Sequence, residues 1–200
     1  HGLHSRSGGC RVAGQQPRAV SERAAREHAN APTVTVAVVA ICGAGPVRAC
    51  LEALREQKDA PPFDVVVVYD PALDGIDEVA ELHGVRAVSN AGQRTPLELA
   101  SRAVQESRGD LVLLTEDHCI PDATWVRAMC DAQRDGRAVV GGRVEIREDA
   151  SPVDWAFYFV DFFRYAAPVT EGPSPSLTVC NAAYRPEQLD ATRDTEPGPF

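Results

Sequence analysis

The chain is 200 residues long, 44% apolar and 24% charged, an ordinary globular composition with enough length for one well-buried domain. Twenty-nine acidic against 20 basic residues leave a formal charge of −9, which argues against a broad nucleic-acid-binding face. Six scattered cysteines without a C-x-x-C pair argue against a disulfide scaffold and for reduced thiols in a cytoplasmic setting. The apolar stretch from Ala31 to Val47 is interrupted by Gly43, Gly45 and Pro46 and is too short to span a bilayer. The sequence opens on His1 without a signal-peptide pattern, so residues upstream of it are expected.

Residues 1–32 read as a flexible Gly-, Ser-, Arg- and Gln-rich tail, with order expected from Thr33. Val34 to Ile41 is a β-branched run suited to a strand covered on both faces, ended by Gly43, Gly45 and Pro46. Val47, Cys50, Leu51 and Leu54 then recur at helical spacing. Phe63 to Val68 gives a second buried strand leading into Tyr69, Asp70 and Pro71. A short helix is expected over Ile76–Leu82 and a short strand over Val85–Val88. Thr95, Pro96 and Glu98 form a capping-box helix start, and that helix is expected to reach about Ser107. Leu111 to Leu114 is a fourth buried strand, ending in Thr115-Glu116-Asp117-His118, and a helix is expected from Pro121 onward. The alternation of strand and helix implies a three-layer α/β/α sandwich around a mainly parallel sheet. Further on, Ala138–Ile146 and Leu177–Ala183 read as strands flanking an aromatic segment, Trp155 to Tyr165.

Ligands of open α/β sheets gather beyond the carboxyl ends of the strands, and two strands here end in acids. One leads to Asp70, which also suits a turn before Pro71. The other leads to Glu116, Asp117 and His118, which together offer hard oxygen ligands and one imidazole nitrogen, a set suited to Mn²⁺ or Mg²⁺ carrying phosphate oxygens. Alternation along a strand pairs Glu116 with His118, whereas a turn recruits Asp117 instead. The triplet reads about equally as a solvated turn. The glycines after the first strand lack the third Gly of a dinucleotide fingerprint, since Arg48 stands there, and no phosphate-binding P-loop or G-x-S-x-G elbow occurs. Cys42 and Cys50 are expected to fill core space. The aromatic segment reads as core or as a homodimer face, or else as an acceptor-side wall or a peripheral membrane contact, with Asp154 and Asp161 opposing deep insertion.

Four segments in order resemble the GT-A glycosyltransferases of the large inverting family 2: TVTVAVVAICGAGPVRACLEAL, VVVVYDPALDG, SRGDLVLLTEDHCIPDATWV and TVCNAAYRPEQL. The resemblance spans residues 33–200, as a nucleotide-binding half (33–118) and an acceptor-side half (119–200). It implies transfer of a sugar, with inversion, from a nucleoside-diphosphate donor to a hydroxyl acceptor, assisted by Mn²⁺ or Mg²⁺. A UDP-sugar is the favoured donor, and a saccharide, lipid-linked or small-molecule acceptor is expected. Ile41 falls on the wall of the nucleotide site, and Tyr69 and Asp70 stand where relatives carry a pair of acids beside the nucleoside. Glu116 and Asp117 fall beside ribose or metal, and His118 falls at the metal-ligand position of the D-x-D stretch. Ala100 and Ser101 replace a usual Arg-Asn pair, for which Arg94 is a candidate substitute. The family's general base belongs near Asp194 to Phe200, so it is expected from Asp194 or Glu196 or from residues following Phe200. A degenerate, non-catalytic binding domain and a sugar-phosphate nucleotidyltransferase are the alternatives. The first is favoured by Tyr69 and Ala100-Ser101, and the second is disfavoured by the lack of Lys in the Cys42–Pro46 loop.

Overall fold

The computed structural model describes residues 33–91, 95–134, 137, 139–169 and 171–187. Its order is β1 (Val34–Ala40), α1 (Ala44–Arg55), β2 (Phe63–Tyr69), α2 (Ile76–His83), β3 (Arg86–Ser89), α3 (Pro96–Glu106) and β4 (Leu111–Glu116). Then come α4 (Trp125–Gln133), β5 (Val139–Gly141), α5 (Pro152–Asp161), a 3₁₀ turn (Phe163–Tyr165) and β6 (Asn181–Tyr184). The strands form one six-stranded sheet in the order β3-β2-β1-β4-β6-β5. The first four are parallel, and β6 joins both β4 and β5 antiparallel. The expected α/β sandwich is therefore present, as a mixed sheet whose parallel part holds β1 at its centre.

Successive side chains of a strand point to opposite faces, and β1 is buried on both. Val34, Val36, Val38 and Ala40 pack with Val47, Cys50, Leu51 and Leu54 of α1, Ile76 and Val79 of α2, and Val126 and Met129 of α4. Ala37 and Val39 face the other way, with Leu99, Ala100 and Ala103 of α3. These two clusters are why the valine-rich runs of β1 and β2 read as strands with no polar face. Helix α3 starts as its sequence implies: Glu98 N–H donates to the Thr95 hydroxyl at 3.3 Å, and Thr95 N–H donates to the Glu98 carboxylate at 3.0 Å.

Close approach explains one glycine. A Cβ on Gly109 would lie 2.7 Å from Thr35 N and 2.8 Å from Thr33 O, both backbone atoms of the neighbouring strand region. In return the loop satisfies a buried hydroxyl, since Gly109 N–H donates to Thr35 Oγ1 at 2.9 Å.

Of the strand expected over Ala138–Ile146, Ala138 lies outside the described residues and the remainder is strand only over Val139–Gly141. Its continuation is diverted: Arg143 C=O accepts from the Asn181 side chain at 2.8 Å, and Val144 N–H donates to Tyr165 C=O at 2.9 Å. The strand expected from Leu177 begins only at Asn181, because residues 178–181 form a turn in which Cys180 N–H donates to the Thr178 hydroxyl. The aromatic segment is helical, capped by Ser151 and Asp154. It is not core: Tyr158 is its one buried side chain, while Phe157, Phe159 and Val160 are exposed.

Candidate functional site

The carboxyl ends of β2, β1 and β4 leave the sheet side by side. Ala40 is opposite Tyr69, and Val39 is opposite Glu116. Asp70 and the Glu116–His118 turn therefore emerge at the same edge, separated by the width of β1, about 10 Å at ordinary strand spacing.

Between the end of β1 and the start of α1 lies the loop Ile41–Gly43. Gly43 has φ 111°, a left-handed conformation that favours glycine. This turn directs two backbone N–H groups at β4: Cys42 N–H donates to Asp117 Oδ2 at 2.8 Å, and Gly43 N–H donates to the same oxygen at 3.2 Å. Asp117 N–H in turn donates to Val39 C=O at 2.9 Å. The carboxylate is wholly buried beside the amino end of α1, where the helix dipole favours negative charge. Its other oxygen, Oδ1, is buried and has no hydrogen-bond partner, a feature that calls for a cation or proton donor.

His118 faces that oxygen. Its Nδ1 lies 3.9 Å from Asp117 Oδ1, and its Nε2 lies 3.5 Å from Glu116 Oε2. Burial pushes the Glu116 carboxyl above its usual value; His118 opposes this shift and the Asp117 charge adds to it. Cys42 completes the group. Single donor atoms of Cys42, Asp117 and His118 all lie within 4.8 Å of one another. Although Cys42 is exposed, its thiol is also pushed up, first by partial desolvation and then by the carboxylates of Asp117 and Glu116. A buried, partnerless carboxylate oxygen beside an imidazole is a fitting place for a divalent cation.

Not every expected residue joins this cluster. Tyr69 is buried in the core on the α2 side, and its hydroxyl donates to Asp77 Oδ2 at 2.7 Å. That bond and burial push the phenol up to about 12, so the ring is a core group rather than an open face for a base. Asp70 uses one carboxylate oxygen to accept Ala72 N–H at 2.9 Å, which shapes its own turn. Ile41 is half-buried against the α3-side core. Arg94, Asp194 and Glu196 lie outside the described residues.

One residue was missed by sequence reasoning. Cys50 is core as expected, but Cys42 is exposed beside Asp117 and His118. Strand β1 ends at Ala40 although the apolar run continues, and the backbone then turns, so the signal was the shared carboxyl edge rather than residue type. Phe162, within the expected aromatic segment, has its ring centroid 6.4 Å from that of His118. It carries the aromatic segment to the site, stacking on Tyr158 at 6.2 Å. Trp125 and Asn181, from two of the resembling segments, meet directly: the indole N–H donates to Asn181 Oδ1 at 2.8 Å. Asn181 sits opposite Thr115 in the sheet, next to the candidate cluster.

Residues 35–192 match the family model described as Glycosyl transferase family 2, and the chain belongs to that family. No curated protein sequence matches it. Among solved structures, it is similar to the mannosyltransferase PcManGT from Pyrobaculum calidifontis in complex with GDP-Man and Mn²⁺, at 20% identity and a TM-score of 0.57. The match covers 90% of this chain and 55% of that one. The glucosyl-3-phosphoglycerate synthase of M. tuberculosis is similar at 15% identity and a TM-score of 0.54, covering 80% of this chain and 59% of the synthase. A complex of the M. tuberculosis synthase with phosphoglyceric acid gives 14% identity and a TM-score of 0.55. These likenesses establish a shared GT-A fold, and this chain spans a little over half the length of those proteins. No helix among the described residues is long and apolar enough to cross a membrane.

Proposed function

We propose that the chain carries the donor and cation site of an inverting glycosyltransferase, which moves a sugar from a nucleoside diphosphate to an acceptor hydroxyl. The observation that carries this reading is the buried Asp117 carboxylate, with one oxygen tied to the β1–α1 loop and the other facing His118 without a partner. Asp117 and His118 would hold a divalent cation, which when bound supplies positive charge to the leaving diphosphate. Glu116 acts beside them, positioning the imidazole or reaching the ribose. Asp70 and the Ile41 loop flank the nucleoside, and Arg94 is the candidate for a phosphate contact. The nucleobase is left open by this geometry, because Tyr69 is committed to Asp77. Phe162 and its neighbours supply an apolar wall suited to the carbon-bound face of an acceptor saccharide. Asp194, Glu196 or a carboxylate following Phe200 would deprotonate the attacking hydroxyl, as a general base must to make it a nucleophile.

A second reading is a non-catalytic GT-A domain that binds a nucleotide or glycan. The burial of Tyr69 where relatives carry an acid favours it. Calorimetric titration with UDP and GDP, in the presence of Mn²⁺, tests the donor site. Micromolar binding that is abolished by His118→Ala is expected. Absence of binding to either nucleotide by protein that unfolds cooperatively would overturn the donor site, and with it the transferase reading. Sugar transfer from an activated donor then separates the enzyme from the binding domain.

A further inference from the structure

We propose that Cys42 is the third protein ligand of the cation held by Asp117 and His118, so that the site takes a thiolate-accepting cation such as Zn²⁺ or Co²⁺ in preference to Mg²⁺. The inference rests on the cation site of the preceding reading and deepens it. Cys42 follows the end of β1 and is exposed, and its Sγ belongs to the same compact donor group as one Asp117 oxygen and one His118 nitrogen. The second, independent observation is Asp117 itself, fully buried, with Oδ1 unpartnered and turned to His118.

The anchoring is asymmetric in a useful way. Asp117 is fixed by the Cys42 and Gly43 N–H groups, so the backbone that carries the thiol is tied to the carboxylate. Cys42 and His118 keep the solvent exposure needed to adjust their rotamers. A tetrahedral cation with bonds of about 2.0–2.3 Å holds its ligands about 3.5 Å apart, so closing the present spread takes a movement of about 1 Å. Glu116 supplies the remaining feature: its carboxylate lies by Nε2 while Nδ1 faces Asp117, the arrangement in which an acid orients a ligating histidine.

Donor chemistry sets the selectivity. Mg²⁺ asks for near-octahedral oxygen ligation, and this set offers one fixed carboxylate. Sulfur, imidazole and carboxylate together suit Zn²⁺ or Co²⁺, and three protein ligands leave a fourth position for a phosphate oxygen. Ligation exchanges the thiol proton for the cation, and that proton passes to the buffer.

Titration of the full chain with Co²⁺ reads the sulfur bond directly. The wild type is expected to gain an intense near-ultraviolet thiolate-to-cobalt band together with visible d–d bands. Cys42→Ser is expected to lose the near-ultraviolet band and to bind Zn²⁺ at least about tenfold more weakly, within the range of a lost contact at a metal site. Cys42→Asp, which restores a ligand without sulfur, is expected to bind Co²⁺ without that band and to gain Mn²⁺ affinity, with thermal unfolding confirming the fold of each variant. A band that persists in Cys42→Ser, or Co²⁺ bound without any such band, overturns the role of Cys42 while leaving the nucleotide reading intact. No Co²⁺ binding at all overturns the cation site as well, and the nucleotide titration then stands as the separate test of function.

Discussion

Asp117 and Cys42 are joined across the carboxyl edge of the sheet, the Cys42 N–H donating to a carboxylate oxygen that water does not reach. One oxygen of Asp117 is therefore tied to the backbone, and the other is buried without a hydrogen-bond partner.

Two substitutions separate those duties. Asp117→Ala leaves the Cys42 and Gly43 N–H groups without their charged acceptor, and a loss of about 2–3 kcal/mol is expected. Asp117→Asn keeps an oxygen for both donors and is expected to cost less than about 1 kcal/mol, while abolishing cation binding. Urea unfolding, with and without a chelator, checks both. Equal destabilisation by the two variants would contradict the division.

The α3 cap is a purely structural matter. Thr95→Ala removes the hydroxyl that accepts Glu98 N–H, with an expected loss of about 1 kcal/mol. In a chain of this length that lowers Tm by about 2–4 °C. Adding Glu98→Ala should cost less than the sum of the two single changes, since both break the same box.

A pair of glycines gives opposite outcomes. Gly109→Ala places a Cβ against backbone atoms of Thr33, Val34 and Thr35, and a loss of about 3 kcal/mol or more is expected. Gly45, in the first turn of α1, has nothing within 4 Å of an added Cβ. Gly45→Ala is therefore expected to be neutral or stabilising by up to about 1 kcal/mol. Thermal unfolding ranks the two, and a Gly109→Ala protein as stable as wild type would contradict the close approach.

Two carboxylates are shifted in opposite directions and give opposite pH behaviour. Burial raises Glu116. Its contribution to stability is thus fully present below the unfolded carboxylate value and is lost as pH rises through the folded one. In cation-free protein, Glu116→Gln is expected to match wild type in acid and to gain on it as pH rises. Asp110 is lowered, because its carboxylate accepts the backbone and side-chain donors of Thr33. Its contribution is present above the unfolded value and is lost as pH falls through the folded one, so Asp110→Asn should be less stable near neutrality and converge with wild type in acid. Urea midpoints across this range check both slopes.

Much of the parallel half was legible because its residues obey local rules. The apolar runs of β1, β2 and β4 have no polar face to contradict them, and Thr95-Pro96-x-Glu98 satisfies a helix start without outside help. Acids at strand ends marked the carboxyl edge for the same reason. What stayed hidden depends on distant partners. The length of β5 is set by the Asn181 side chain and by Tyr165, from other parts of the chain, which take the groups a longer ladder would use. Cys42 follows an unbroken apolar stretch, and only the left-handed turn at Gly43 and the pull of Asp117, 75 positions away, bring it to the surface. Tyr69 illustrates the converse. Its position suggested a ligand contact, but alternation along β2 puts the ring on the α2 side, within reach of Asp77.

The bond between Trp125 and Asn181 has a practical corollary. The chain has two tryptophans, and the other, Trp155, lies on α5 in contact with Tyr158 and Phe159. With Trp155 replaced by Phe, the emission of Trp125 alone would register the polarity and rigidity of the seam between α4 and β6. The molecule would then carry its own optical gauge, readable without any added dye, of whether that seam loosens or tightens when a nucleotide arrives.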